Sequence, residues 1–434
     1  MRTPHQIFRA MFAALILTGA FCAGQSVMAQ AVGSGDVLFS EFRLSGPNGF
    51  ADEYMELYCN RDTNCDISNY NIIAFDESSD DFAVTFPAST IIPARGHLLV
   101  GDNAGYSLTG YANLDLLASS GGETDFFIDN QGFQLTNADR SVVIDSVGFD
   151  GGGGTVTYIE GTGLQPATGA RPADQYAYVR QLRTGTPQDT NNNAADFVLV
   201  SVTATPQPGI TTPPTLGAPG PQNTASPIQR NGRIKASLFA PWAPATGYPN
   251  RIRRASGNPT SAAFGTLELW RKFTNRSGGP ITVLRFRTVD MTTRTGTTPP
   301  PAGTADLRIH TSYNHAASPL GYGLYHGTRL ETPAQPNGGG LNSSMVVDIG
   351  GGTFADNQTI DVRFVLGVQQ EGNFRFLVNI EAANSVPALA SQTKSAASKG
   401  RAMKAVEPLP SPLPPSRMMS ERKRVLSPSG QLVK

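Results

Sequence analysis

Cysteine, histidine and charge are all scarce in this chain. Three Cys and five His in 434 residues exclude a disulfide-dense scaffold and a zinc-rich one. Charged residues make up 16%, below the roughly 25% usual for soluble globular chains. The 34 basic residues equal the 34 acidic ones, which excludes a globally basic nucleic-acid binder. Beyond the first 30 residues, no stretch approaches the roughly 18 consecutive apolar residues that a membrane helix needs. No G-x-S-x-G, H-E-x-x-H, phosphate-binding P-loop or G-x-G-x-x-G pattern is present. What is plentiful is Gly (46) and Pro (32), without a G-X-Y period, and that implies many turns instead of a collagen helix.

Residues 1–29 read as a signal peptide. Arg2 and Arg9 form the positive n-region. Ile7, Phe8 and the run 11–22 supply an apolar stretch that is short and rich in small residues. Val27-Met28-Ala29 fits the small-x-small cleavage pattern, so a mature chain starting at Gln30 is expected. The alternatives are a retained anchor and a lipoprotein, but the latter needs small residues where Phe21 precedes Cys22. The expected product is exported, extracellular or at the cell envelope, with no transmembrane segment once the signal is removed.

Export accounts for the cysteines. Cys22 leaves with the signal, and Cys59 and Cys65 remain with five residues between them. In an oxidising compartment this pair reads as a structural disulfide closing the loop 60–64. Loop-closure entropy makes it worth roughly 2 kcal/mol. A redox or metal-binding pair is disfavoured, because C-x5-C is not C-x-x-C and no His lies beside it.

Five segments follow from composition: the signal 1–29, a β-rich region 30–200, a Pro-rich linker 201–230, a second β-rich region 231–384, and a basic, Pro-rich tail 385–434. Charge divides along the same lines. Residues 36–150 carry 19 Asp and Glu against four Lys and Arg, whereas 225–384 carry nine against 16. The tail carries two against nine and is poor in aromatics, so it is expected to be disordered. Such asymmetry can drive head-to-tail association, but solubilising charge proper to each region is the simpler account.

Apolar and polar residues alternate with period two throughout. Met55, Leu57 and Cys59 share one face; Tyr54, Glu56 and Tyr58 share the other. Further strands are predicted at 70–75, 97–100, 132–135 and 141–149, separated by Gly, Asn, Asp and Pro clusters. No long segment shows helical spacing after the signal. The pattern predicts an all-β chain with two β-sandwich domains.

The segment Val37-Leu38-Phe39-Ser40-Glu41, followed by Asp52-Glu53-Tyr54-Met55-Glu56-Leu57-Tyr58, resembles the opening of a lamin tail domain. Asp66-Ile67-Ser68-Asn69-Tyr70 resembles the next strand of that family, and Phe86-Pro87 with the run 92–100 its Pro/Gly turn and strand. Phe133-Gln134-Leu135 and Val143-Ile144-Asp145-Ser146-Val147 resemble the closing pair, and 189–197 with the Pro-rich exit its tail. The resemblance covers roughly residues 32–223. Ser40, Glu41, Glu53, Glu56, Leu57, Tyr58 and Tyr70 are its signature positions here. The family has Gly then Trp where Asn69 and Tyr70 stand, and Tyr is a sensible core replacement. The resemblance implies an immunoglobulin-like fold, with scaffolding and interaction as its role. Similar domains accompany secreted bacterial hydrolases as accessory or tethering modules.

In the second β-rich region Leu267, Leu269 and Phe273 alternate with Glu268, Trp270 and Lys272, and Leu284 and Phe286 with Arg285 and Arg287. Two clean apolar faces, at 360–368 and 374–380, flank a turn at 369–373. They are expected to pair as an antiparallel hairpin.

Candidate chemistry is sparse. His310, His315 and His326 fall close in sequence and would give a metal three ligands, although no spacing supports it. His97 sits in an expected strand and reads as a packed residue. Asp62-Thr63-Asn64-Cys65-Asp66 begins like an EF-hand loop, but Ile67 and Ile73 replace the required Gly and Glu. The acidic loop 76–81 would hold a cation weakly at best. Nucleic acid is not an expected partner: the front region is acidic, and only Arg271, Lys272, Arg285, Arg287 or the tail would serve. The sequence thus predicts a secreted, non-enzymatic protein for attachment, scaffolding or protein interaction, without a cofactor. The alternative is an accessory module of an extracellular hydrolase, or a metal-dependent hydrolase built on the three histidines.

Overall fold

The alternation in 54–59 produces the strand Tyr54–Cys59, which pairs antiparallel with Val37–Arg43. The computed structural model describes residues 31–74, 82–101, 105–118, 132–150, 158–165, 174–183, 185–206, 211–228, 233–255, 260–349 and 352–383, together with three short strands at Lys404–Ala405, Val425–Leu426 and Leu432–Val433. The expected signal peptide, the acidic loop 76–81 and, those short strands apart, the tail lie outside the described residues. The fold is all-β. Helical structure among the described residues is confined to short turns, such as the α-turn Asn193–Asp196 and the 3-10 turn Phe50–Asp52.

The front sandwich has one large sheet in the order Thr215–Leu216, Phe197–Ser201, Tyr176–Arg180, Val37–Arg43, Tyr54–Cys59, His97–Gly101 and Leu116–Leu117, with Lys404–Ala405 at its edge. The facing sheet runs Val143–Val147, Phe133–Thr136, Asn71–Ala74 and Phe82–Thr85. Phe42 lies in the core between them. It stacks on Tyr178 at 5.1 Å and meets Phe133 and Phe197 edge-on at 5.0 and 5.3 Å. Strict alternation would place Phe39, Glu41 and Arg43 on one face. A β-bulge between Phe39 and Glu41 breaks that register, so both Phe39 and Phe42 enter the core while Glu41 and Arg43 turn outward. Cys59 and Cys65 form the expected disulfide, which ties the second strand to Cys65–Asp66.

The rear sandwich has two layers. One holds Ile234–Leu238 and Arg251–Arg254 side by side along Thr266–Asn275, then Thr359–Gln370 and Asp306–His310. The other holds Ser344–Val347, Val283–Met291 and Phe376–Ala383. The strand Gly321–Leu330 pairs with both layers and joins them. Phe286 meets Phe273 at 4.7 Å and Phe364 at 4.9 Å across the core.

The expected hairpin at 360–380 does not form. Thr359–Gln370 and Phe376–Ala383 lie in opposite layers, and Phe364 faces Phe376 across the core at 6.0 Å. Alternation fixes which faces are buried, and both arrangements bury the same faces. The intervening Gly372–Asn373 pairs in parallel with Gly303–Thr304, which carries the chain from one layer to the other.

Val32 onward is one compact unit. The connecting segment between the sandwiches explains why. Thr215–Leu216 extends the front sheet in parallel with Phe197–Ser201, and Gly217 bridges to Leu341 of the rear sandwich. Residues 216–223 are buried throughout.

Candidate functional site

The bulge turns Glu41 toward the rear sandwich, and alternation puts Glu56 beside it. From the other side, Val283–Met291 presents Arg285 and Arg287 on the face opposite Leu284 and Phe286. Arg287 is buried. Its Nε donates to Glu381 Oε1 at 2.8 Å, Nη2 to the Tyr111 hydroxyl at 2.7 Å and Nη1 to Asn342 Oδ1 at 3.1 Å. Asn342 Nδ2 donates in turn to Glu41 Oε2 at 2.9 Å. Glu41 Oε1 accepts from the Tyr54 hydroxyl at 2.6 Å and the Gly220 N–H at 2.8 Å. Glu56 accepts from the Ser40 hydroxyl and the Gln222 N–H. Arg285 lies 2.6 Å from Glu331 and covers the Tyr111 ring. A Cβ at Gly220 would meet Arg287 Nη1, so any side chain there would displace the guanidinium from its partners.

The electrostatics follow from burial. Desolvation pushes the Glu41 carboxyl up, and desolvation with the neighbouring Glu41 charge pushes Glu56 well above its usual range. Burial, with Arg287 adding to it, holds His97 well below its ordinary value, so it is neutral beside Glu56. Burial would raise Glu331, but the Arg285 guanidinium outweighs it and holds that carboxyl low. The ion pairs Arg285–Glu331 and Arg287–Glu381 lie within the rear sandwich, and hydrogen bonds join it to the front one: Asn342 to Glu41, Arg287 to Tyr111, and the connector N–H groups of Gly220 and Gln222 to Glu41 and Glu56.

The other signature positions are structural. Leu57 is in the front core and Tyr58 packs on His97. Glu53 is buried and its N–H closes the 3-10 turn on Phe50. Tyr70 packs against the front core and donates to the Val32 carbonyl at 3.1 Å.

A second charged cluster was not foreseen from sequence. Asp145, Glu160 and Asp189 bring carboxylate oxygens within 4.8 Å of one another, near enough to share a cation. Arg180 already meets that charge: it lies 2.7 Å from Asp145 and 3.6 Å from both Asp189 and Asp196. Burial, then Asp145, raises Glu160 to about 7; burial, opposed by Arg180, leaves Asp145 at about 6. The signal lay in 189–196, whose Asn192 caps the short helix and whose Asp196 accepts from Thr190.

The three histidines are not brought together. Among the described residues the group with metal-ligating geometry is the acidic one. His326 is buried against the Asp348 carbonyl at 2.8 Å, His315 is exposed on a hairpin, and His310 sits at the end of its own strand. A cleft of about 320 Å³ opens between the sandwiches, lined by Arg180, Arg183, Thr288, Asp290, Leu341 and Arg375 among others. It holds no histidine or cysteine, and Arg375 is paired with Asp290 at 2.8 Å.

The remaining feature is a surface. Trp242, Tyr248, Tyr313 and Leu324 are each more than 60% exposed on the rear sandwich. Trp242 and Tyr248 stand on the loop 239–250; Tyr313 precedes the hairpin His315–Ser318/Gly321–Leu330, and Leu324 lies within its second strand. The Tyr248 hydroxyl donates to the Pro319 carbonyl and so joins loop to hairpin. Beneath them Phe239, Trp270 and Tyr325 form a small aromatic core of their own.

No family model matches the chain, and no curated protein matches it. None of the described helices is long and apolar enough to cross a membrane.

Proposed function

We propose that this is a secreted, non-enzymatic protein for attachment or scaffolding at the cell envelope or outside it, with a front sandwich of the lamin-tail type. The observation that carries the attachment reading is the exposed aromatic surface on a body whose two sandwiches are joined by buried hydrogen bonds. Large apolar side chains grouped in the open mark contact sites. Two details support the family reading. Asn69 holds a φ of 63°, the conformation that favours glycine, where the family has Gly. Tyr70 packs on the front core where the family has Trp.

Fractionation of native cells, followed by pull-down with the mature protein, tests the proposal. Recovery outside the cytoplasm together with a retained surface ligand is the expected result. Recovery in the cytoplasm, or turnover of a small substrate by the purified protein, overturns it.

A further inference from the structure

Two stretches that build the exposed surface, 236–250 and 309–328, contain no Asp, Glu, Lys or Arg, in a chain that is 16% charged. These stretches therefore bring no charge of their own to this face, and Lys272, which lies over the Phe239 ring, is paired with Asp361 at 2.7 Å. An anionic membrane would be met by Lys and Arg near its surface, and a protein interface carries a polar rim in which charge sets register. Neither is present along these two stretches.

The loop that carries Trp242 and Tyr248 is also held in place. Asn250 is fully buried under the loop. Its Oδ1 accepts from the Ala240 N–H at 2.8 Å, and its Nδ2 donates to the carbonyls of Ala240, Ala243 and Pro244 at 2.9, 3.2 and 3.2 Å. Three prolines, Pro241, Pro244 and Pro249, further restrict the same loop. The backbone that carries Trp242 is therefore held in place, with the side chain 74% exposed on it. A loop fixed in advance loses little entropy on binding.

From these observations we infer that this face binds a neutral polysaccharide. A pyranose ring offers an apolar C–H face for Trp and Tyr to stack on, and uncharged hydroxyls around it. The inference rests on the attachment reading and names the class of ligand for it.

The test uses the full mature chain in affinity gel electrophoresis through neutral polysaccharides (dextran, hydroxyethyl cellulose, galactomannan). Vesicles with and without phosphatidylglycerol, and sedimentation equilibrium, run in parallel. Retardation in at least one neutral gel is expected, unchanged between about 0.1 and 1 M salt. Trp242→Ala and Tyr248→Ala should each weaken it about fivefold or more, with Trp242→Phe largely retaining it. Circular dichroism and thermal melting identify any variant that merely unfolds, and Leu324→Ser then serves as a second probe of the same face. Absence of retardation in every neutral gel overturns the inference. So does salt-sensitive binding to anionic vesicles alone, or self-association lost in Trp242→Ala. If the wild-type protein binds no polysaccharide yet stays with the cell surface on fractionation, the ligand class is wrong and the attachment reading stands.

Discussion

The Asn342 amide donates to the Glu41 carboxylate at 2.9 Å, joining residues 301 positions apart. One belongs to the first strand of the front sandwich and the other to the rear. Asn342→Ala leaves Glu41 a buried carboxylate short of one donor. Urea denaturation should show a loss of about 1–3 kcal/mol. A variant as stable as the wild type would mean that the sandwiches do not meet here.

Arg287 has the larger role, because it touches Glu381, Tyr111 and Asn342 at once. Replacing it with Met removes the strongest partner of the buried Glu381, leaving it Arg285 at 3.7 Å and the Gln222 amide at 3.4 Å. The expected loss is about 3–5 kcal/mol, read from the same denaturation curves, and it should exceed the loss in Asn342→Ala.

The Cys59–Cys65 bridge closes a short loop, with both sulfurs buried in the front core. A Cys59→Ser/Cys65→Ser double variant should lose roughly 2 kcal/mol while keeping the β-rich far-ultraviolet spectrum. Loss of that spectrum would show that the bridge is required for folding itself.

Glu160 gives a pH dependence with a definite sign. Its folded-state pKa is raised from 4.5 to about 7 by burial and by Asp145, with Arg180 opposing and Asp189 and Asp196 adding to the rise. The folded state therefore holds a proton that the unfolded chain releases. This contribution to stability is complete below about pH 4.5 and is lost as pH rises to about 7. Glu160→Gln should flatten that part of the curve of melting temperature against pH. A variant whose curve parallels the wild type would remove Glu160 as the titrating group.

Much of the fold was legible because burial leaves a periodic trace. Met55 and Leu57, Leu284 and Phe286, and Ile360 and Phe364 all face cores, as their alternation predicts. The bulge at Ser40 was not legible, since one inserted residue leaves no mark in composition. The crossing at 370–376 was not legible either, because a hairpin would bury the same faces. The interface was half visible. The acidic front and basic rear regions were plain in the charge count, but nothing in sequence showed that Glu41 and Glu56 would approach Arg287. Trp242 was not singled out from sequence, because nothing in a run of residues tells an exposed ring from a buried one.

The buried connector has a consequence for how this protein can change over generations. Gly220 and Gln222 donate backbone protons to Glu41 and Glu56, so the front sandwich draws hydrogen-bond donors from the connector that leads out of it. A shuffling event that severed the chain within that connector would leave two buried acids short of donors on a bare face. Exchange of one half without the connector therefore carries a penalty that exchange of both together does not.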